Sequence, residues 1–250
     1  MDSPLFYYVC AVIAVIISGL AKGGFAGIGL LAVPIMALAI DPVKAAAILL
    51  PILMLQDIVG VWAFRHSWDG YVLKVMLPGM AVGVLGGYLF AAKVPESTIM
   101  GALGVISVLF GLQRLWIERG GAMVLPSNSP AWVGVLFGMA TGFTSQIAHA
   151  GGPPFQMWVL PRRLPRDVLA GTTAFAVMAL NWMKVPAYAA LGQLTRENLM
   201  ETAMLAPVAM AATLGGVALV RRVDPARFYT VIYVLMVLVG GKLMADAILA

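Results

Sequence analysis

Two stretches decide how this chain folds: Lys22-Gly-Gly-Phe-Ala-Gly-Ile-Gly29 and His149-Ala-Gly-Gly-Pro-Pro154. Each ends an apolar run, and each opens a shorter one, at about 25–40 in the first case and 151–161 in the second. A helix needs about 20 residues to cross hydrocarbon, so the second of these runs is far too short and the first is marginal. Glycine and proline are also the residues that interrupt helices. Short, broken apolar segments at corresponding positions of two halves point to a transporter binding site.

The correspondence is written into the sequence. At an offset of 125, Ala26-Gly27 falls on Gly151-Gly152, Val43 on Val168, Ala45 on Ala170 and Gln56 on Asn181. At an offset of 129, Pro78 falls on Pro207, Gly86-Gly87 on Gly215-Gly216, Lys93-Val94 on Arg222-Val223 and Gly111 on Gly240. The matches keep a constant order, so the chain divides into a first membrane repeat (1–119), a linker rich in Gly, Pro and Ser (120–130) and a second repeat (131–250).

Composition sets the environment. The 250 residues are 62% hydrophobic and 11% charged, with a mean hydropathy of +0.96. Soluble domains carry about 25% charged residues, so most of this chain faces lipid or its own interior. The first apolar run lacks a basic leader and an A-x-A site and reads as a retained helix. The lone cysteine, Cys10, excludes an intrachain disulfide and reads as a small apolar filler. The net charge of +5 comes from basic residues scattered through short loops. That pattern sets topology and speaks against nucleic-acid binding.

The fold class expected is an all-α polytopic membrane protein of two homologous halves, each of about 4–5 hydrophobic helices, some short, broken or re-entrant. Apolar segments lie at about 5–21, 25–40, 45–64, 71–92 and 98–117, then at 131–147, 151–161, 168–190, 198–220 and 227–246. The first two segments of each half form two crossings, a re-entrant hairpin or one broken helix. The first two options give an odd number of crossings per half, which places ten loop Lys and Arg residues on one face and four on the other. An even number gives eight against six. The positive-inside rule therefore favours inverted halves with both termini outside.

Candidate site residues follow from cost. Lys22 and Lys184 are expensive within a bilayer, and an intramembrane cation marks a functional site. Lys184 lies three residues after Asn181, on the same helical face. The amides Gln56 and Asn181 share one repeat position; they either bridge helices or bind ligand. The glycines Gly23, Gly24, Gly151 and Gly152 allow close helix approach or else open helix N-termini whose N–H groups attract an anion. His149 is a candidate substrate ligand or proton acceptor, or else a hydrogen-bonded packing histidine, and Asp57 a candidate proton carrier or a partner neutralising a lysine. Gln146, Gln156, Thr172 and Thr173 would complete a polar lining, whereas His66, beside Arg65, reads as solvated.

Enzyme signatures are missing. The chain has no G-x-x-x-x-G-K-[ST] phosphate loop and no H-E-x-x-H, and Gly142-Phe-Thr-Ser145 lacks the second glycine of a nucleophile elbow. No cofactor and no metal site is expected. With Lys22–Gly29 followed by Leu-Ala-Val-Pro34, His149–Pro154, Ala170-Gly-Thr-Thr173, Asn181, Lys184, Tyr188 and Gly192-Gln193-Leu194 in this order, the chain resembles the TauE/SafE family of sulfite exporters and sulfonate permeases. It departs from the family's glycine-richest form at Phe25, Ala26, Pro153 and Pro154.

The resemblance implies a secondary transporter of about eight helices in a bacterial inner membrane. Its cargo would be sulfite, sulfoacetate, thiosulfate or another sulfonate. Export is frequent in the family and import also occurs. The expected partners are this small anion, the lipid bilayer and, as an open arrangement, a second copy in a homodimer. The alternatives are an anion channel or a carrier of another small carboxylate anion with the same fold.

Overall fold

A computed structural model describes residues 4–22, 28–120, 129–219 and 225–249. The described residues form ten α-helices and no strand: α1 (Pro4–Lys22), α2 (Ala32–Met36), α3 (Pro42–Phe64), α4 (Gly70–Ala91), α5 (Glu96–Glu118), α6 (Ala131–Ala148), α7 (Gly152–Val159), α8 (Arg166–Ala190), α9 (Arg196–Leu219) and α10 (Pro225–Leu249). Single 3-10 turns, Ile28–Leu31 and Leu160–Arg162, precede α2 and follow α7. Helices α1, α3, α4, α5, α6 and α8 are long and apolar enough to cross a membrane, and α9 and α10 reach 24 and 25 residues. The protein is therefore a multi-pass membrane protein.

Local signals place the helix starts. The Asp41 carboxylate accepts from Lys44 N at 2.7 Å and opens α3, and Asp69 accepts from Val72 N at 2.9 Å and opens α4. Pro51, Pro78, Pro186 and Pro207 lie inside long helices. Membrane helices tolerate such prolines because neighbouring groups satisfy the freed carbonyls.

The short segments are shorter than hydropathy indicates. The run expected at 25–40 resolves into the 3-10 turn Ile28–Leu31 and a five-residue α2. At 1.5 Å per residue α2 covers about 7.5 Å and α7 about 12 Å, so neither crosses hydrocarbon. Both are enclosed: Leu31, Val33, Met36 and Val159 are fully buried, and Phe155 and Trp158 nearly so.

Helix directions follow from which residues meet. Tyr7 donates to Glu201, and Gly19 abuts Ala212, so α1 and α9 run parallel. Lys44 also reaches Glu201, while Ser18 and Lys22 meet Gln56 and Asp57, so α1 and α3 are parallel too. The chain between α1 and α3 must then turn back. Gly79 abuts Val135 and Gly87 abuts Gln146, making α4 and α6 parallel. Helix α3 is antiparallel to α8, through Gly60 on Ala174 and Asp57 with Asn181. Helix α5 is antiparallel to α10, through Gly104 on Met244 and Gly111 on Tyr233. Consequently α6, α8 and α10 run opposite to α1, α3 and α5.

Glycine sets the closest of these approaches. Gly79, Gly83 and Gly87 line the α4 side of its contact with α6, and Gly138 and Gly142 the α6 side, each set at four-residue spacing, the small-xxx-small arrangement. A Cβ on Gly83 would collide with the Met139 carbonyl, and one on Gly142 with that of Met80. Gly83→Ala and Gly142→Ala should each cost about 1–3 kcal/mol by overpacking, read as a lower melting temperature in detergent. Gly241→Ala, whose methyl meets nothing within 4 Å, should leave that temperature unchanged or raise it.

Candidate functional site

The two breaks deliver their residues to one cavity of about 190 Å³. Lys22, the last residue of α1, and His149, just past α6, both line it, as do Ser145, Gly151, Gly152, Asn181 and Lys184. Because α1 and α6 run in opposite directions, their ends reach this cavity from opposite faces of the bundle.

His149 ends α6 in the left-handed conformation (φ 50°, ψ 26°). Its N–H bonds Ser145 O at 3.0 Å, and that of Ala150 bonds Thr144 O at 3.3 Å, which together close the last turn. The imidazole Nε2 lies 2.9 Å from Ala46 O. A carbonyl can only accept, so Nε2 carries the hydrogen and the Nδ1 lone pair is free. The Lys184 ammonium donates to that Nδ1 and to Ser145 Oγ at 3.2 Å. This arrangement holds His149 neutral, since a hydrogen on Nδ1 would face the ammonium. The ring stacks on Tyr188 at 6.3 Å between centroids, and the Tyr188 hydroxyl donates to Gln146 O at 2.9 Å.

The two lysines have different surroundings. Lys22 forms an ion pair with Asp57, whose other oxygen accepts from Asn181 Nδ2 at 2.6 Å. Lys184 is fully buried, and its partners are Ser145 and His149, with no carboxylate among them. Lys22, Asp57, Asn181, Lys184 and His149 thus form one polar cluster, whose carboxylate is taken up by Lys22 and Asn181.

The structure separates the sequence candidates. Gly23 and Gly24 lie outside the described residues. Gln56 is fully buried beside the cluster, its Nε2 donating to Ser18 Oγ at 3.3 Å and its Oε1 without a partner. Thr172 faces away from the cavity: its hydroxyl accepts from Asp69 N at 2.8 Å and ties α8 to the start of α4. Thr173 and Gln156 line the cavity, Gln146 is buried behind it, and His66 is exposed.

The N-terminus of α7 is poorer in donors than the glycine turn implies. Pro153 and Pro154 carry no N–H, and the N–H of Phe155 already bonds Gly151 O at 3.3 Å. In the first turn of α7 only Gly152 N–H is left to face a ligand. A Cβ on Gly152 would meet nothing within 4 Å, whereas one on Gly151 would press on Thr141 O at 3.0 Å.

Ser145 was not singled out from the sequence. It precedes His149 by four residues, so both sit on one face of α6, and that spacing was the available signal.

The chain is thus a multi-pass bundle holding a cavity of about 190 Å³ whose polar lining includes Lys22, His149, Asn181 and Lys184. The sulfite exporter TauE/SafE family matches residues 10–243, and the chain belongs to that family, whose members are transporters. No characterised protein and no solved structure matches the chain significantly.

The two lysines should answer substitution differently. Asp57→Asn strands the Lys22 ammonium, and breaking a buried pair costs about 3–5 kcal/mol, less here because the Lys22 side chain is 18% exposed. Lys184→Met breaks no ion pair and removes a buried charge, so it should cost less. Melting curves in detergent would show Asp57→Asn the lower of the two; the reverse order would mean that Lys184 carries the ion pair.

Proposed function

We propose that this protein is a secondary transporter that carries a small organosulfur or sulfur-oxyanion substrate, such as sulfite, sulfoacetate or another sulfonate, across a bacterial inner membrane. The observation that carries this reading is Lys184: a lysine with no exposure and no carboxylate among its hydrogen-bond partners, set in the wall of the cavity. A charge at membrane depth costs several kcal/mol unless it is compensated, and an anion in the cavity compensates it. Asn181, Ser145 and Gly152 N–H are positioned to hydrogen-bond the anion's oxygens. Lys22, already neutralised by Asp57, contributes position more than charge. The cavity volume lies below the ~300–1,000 Å³ that drug-sized ligands fill, which favours a small cargo.

The opposed directions of α1–α5 and α6–α10 support two inverted repeats, 1–119 and 131–250, that alternate access about this midplane site. The face bearing Arg65, Arg162 and Arg163 would be cytoplasmic, with both termini outside. Export is the direction the family match favours. His149 with Lys184, or Asp57 with Lys22, are the pairs through which a proton could be coupled, and no cofactor enters the cycle. A channel with the same fold is the second reading, and saturation of flux separates the two.

Purified protein should bind sulfite or sulfoacetate and carry one of them saturably into liposomes. Charge-assisted hydrogen bonds contribute about 1.5–3 kcal/mol, so Lys184→Met should weaken binding by about 10- to 100-fold. Lys22→Ala should weaken it less. If neither these anions nor thiosulfate, taurine and simple carboxylates bind, the reading fails; if flux rises linearly without saturation, the channel replaces it.

A further inference from the structure

Tryptophan marks the level of one membrane surface. Trp62 near the end of α3, Trp68 just before α4 and Trp132 at the start of α6 are between 47% and 68% exposed. Indole rings gather where headgroups meet hydrocarbon, so this face of the bundle lies at that depth. It is also the face where Arg65 ends α3 and where Arg162 and Arg163 follow α7. Three helices converge there, because the side chains of Val75 on α4 and Trp158 on α7 both press on Gly134 of α6.

The cations at this junction divide into held and free. The Arg162 guanidinium lies over the Trp158 ring at 3.7 Å and the Tyr71 ring at 5.2 Å, and it donates to Ser129 O at 3.3 Å. Lys74 follows Tyr71 by one helical turn, on the same face of α4, and Arg163 is the next residue after Arg162. Both are exposed, and neither side chain has a hydrogen bond or ion pair among the described residues. The neighbouring acids do not serve them: the Asp69 carboxylate accepts from Val72 N, and the exposed Asp167 pairs with neither. Inward from Lys74 the exposed face of α4 turns apolar, through Pro78, Val82 and Leu85. At 1.5 Å per residue the rise from Lys74 to Leu85 is about 16 Å, roughly half the hydrocarbon thickness.

We propose that Lys74 and Arg163 form a binding site for the phosphate of an anionic phospholipid, whose acyl chain lies along Pro78, Val82 and Leu85 for the depth of one leaflet. The site is independent of the anion-transport reading. A guanidinium fork matches two phosphate oxygens, and an ammonium adds a point charge beside it. Arg162, locked between two rings, braces the turn that presents Arg163 and adds positive potential behind the site. A zwitterionic headgroup carries its own cation, which these three basic residues repel, so the site selects lipids with net negative charge. Basic residues that served topology alone would show no such selectivity.

Native mass spectrometry of the full chain in detergent, titrated with phosphatidylglycerol or phosphatidylcholine, tests this. Each basic residue near the surface contributes roughly a fivefold preference for anionic lipid. Phosphatidylglycerol should therefore bind roughly 30-fold more tightly than phosphatidylcholine. Lys74→Gln and Arg163→Gln should each remove about fivefold of that preference, and the two together should abolish it. Lys74→Arg should keep it, as should Lys93→Gln, which removes an exposed cation at the opposite end of α4. Both target residues are exposed and unpaired among the described residues, so the variants should melt in detergent at the parent temperature. Equal binding of the two lipids, or a preference that survives the double substitution, would overturn the site. Displacement of phosphatidylglycerol by soluble glycerol phosphate at the same concentration would overturn the lipid in favour of a free phosphate ester.

Discussion

Hydrocarbon offers no hydrogen-bond partner to a peptide group, and every other choice in this structure follows from that constraint. Two helices end inside the bundle, after Lys22 and after Ala148. Backbone that leaves the helix at membrane depth is stable only where protein or a water-filled cavity receives it. The chain meets the requirement by enclosure. The short returns after each break are wrapped by long helices, which come close through glycine: Gly19 against Ala212, Gly83 against Met139 and Gly142 against Met80. Where the breaks meet, Lys22, His149, Asn181 and Lys184 bring polar groups into the wall of the cavity. The glycine packing and the site are two consequences of one constraint.

Much of this was legible because hydropathy and helix length are coupled in a membrane. The long helices lie close to the extents their apolar runs mark, and the broken stretches stand where Gly and Pro cluster. The order of loop charges favoured opposed halves, in agreement with the directions that the contacts give. The first short segment was overestimated. Apolar residues continue from Ile28 to Ile40, yet α2 stops at Met36. Hydropathy reports that a residue is buried, not that its backbone is helical, and an enclosed return is as apolar as a span.

The site was legible in its residues but not in its pairings. Lys22, Asp57, Asn181, Lys184 and His149 stand out because polar groups in such a chain are costly. Which lysine Asp57 neutralises depends on α1 and α3 lying parallel, a three-dimensional fact. Gln56 and Asn181 align at an offset of 125 in the sequence, yet Gln56 points to Ser18 and Asn181 to Asp57. The two amides have taken different work. Thr172 illustrates the same limit: its hydroxyl looks like a ligand in the sequence, but in the fold it fastens a helix start.

That divergence bears on how one site can serve two faces. If both lysines were paired with carboxylates, the core would be neutral and indifferent to an anion. If neither were, the empty core would hold two unpaired ammonium groups in a low-dielectric interior, at a large desolvation cost. In the proposed cycle, one paired lysine and a protonated Lys184 would leave a single positive charge, which the anion would neutralise on entry and expose again on leaving. Only an interaction that differs between the loaded and empty states can bias a conformational equilibrium, and in that proposal Lys184 would supply the difference. His149 and Ser145 beside it hold the Lys184 side chain by hydrogen bonds that involve no carboxylate, which on the proposed reading would leave its charge to the solute.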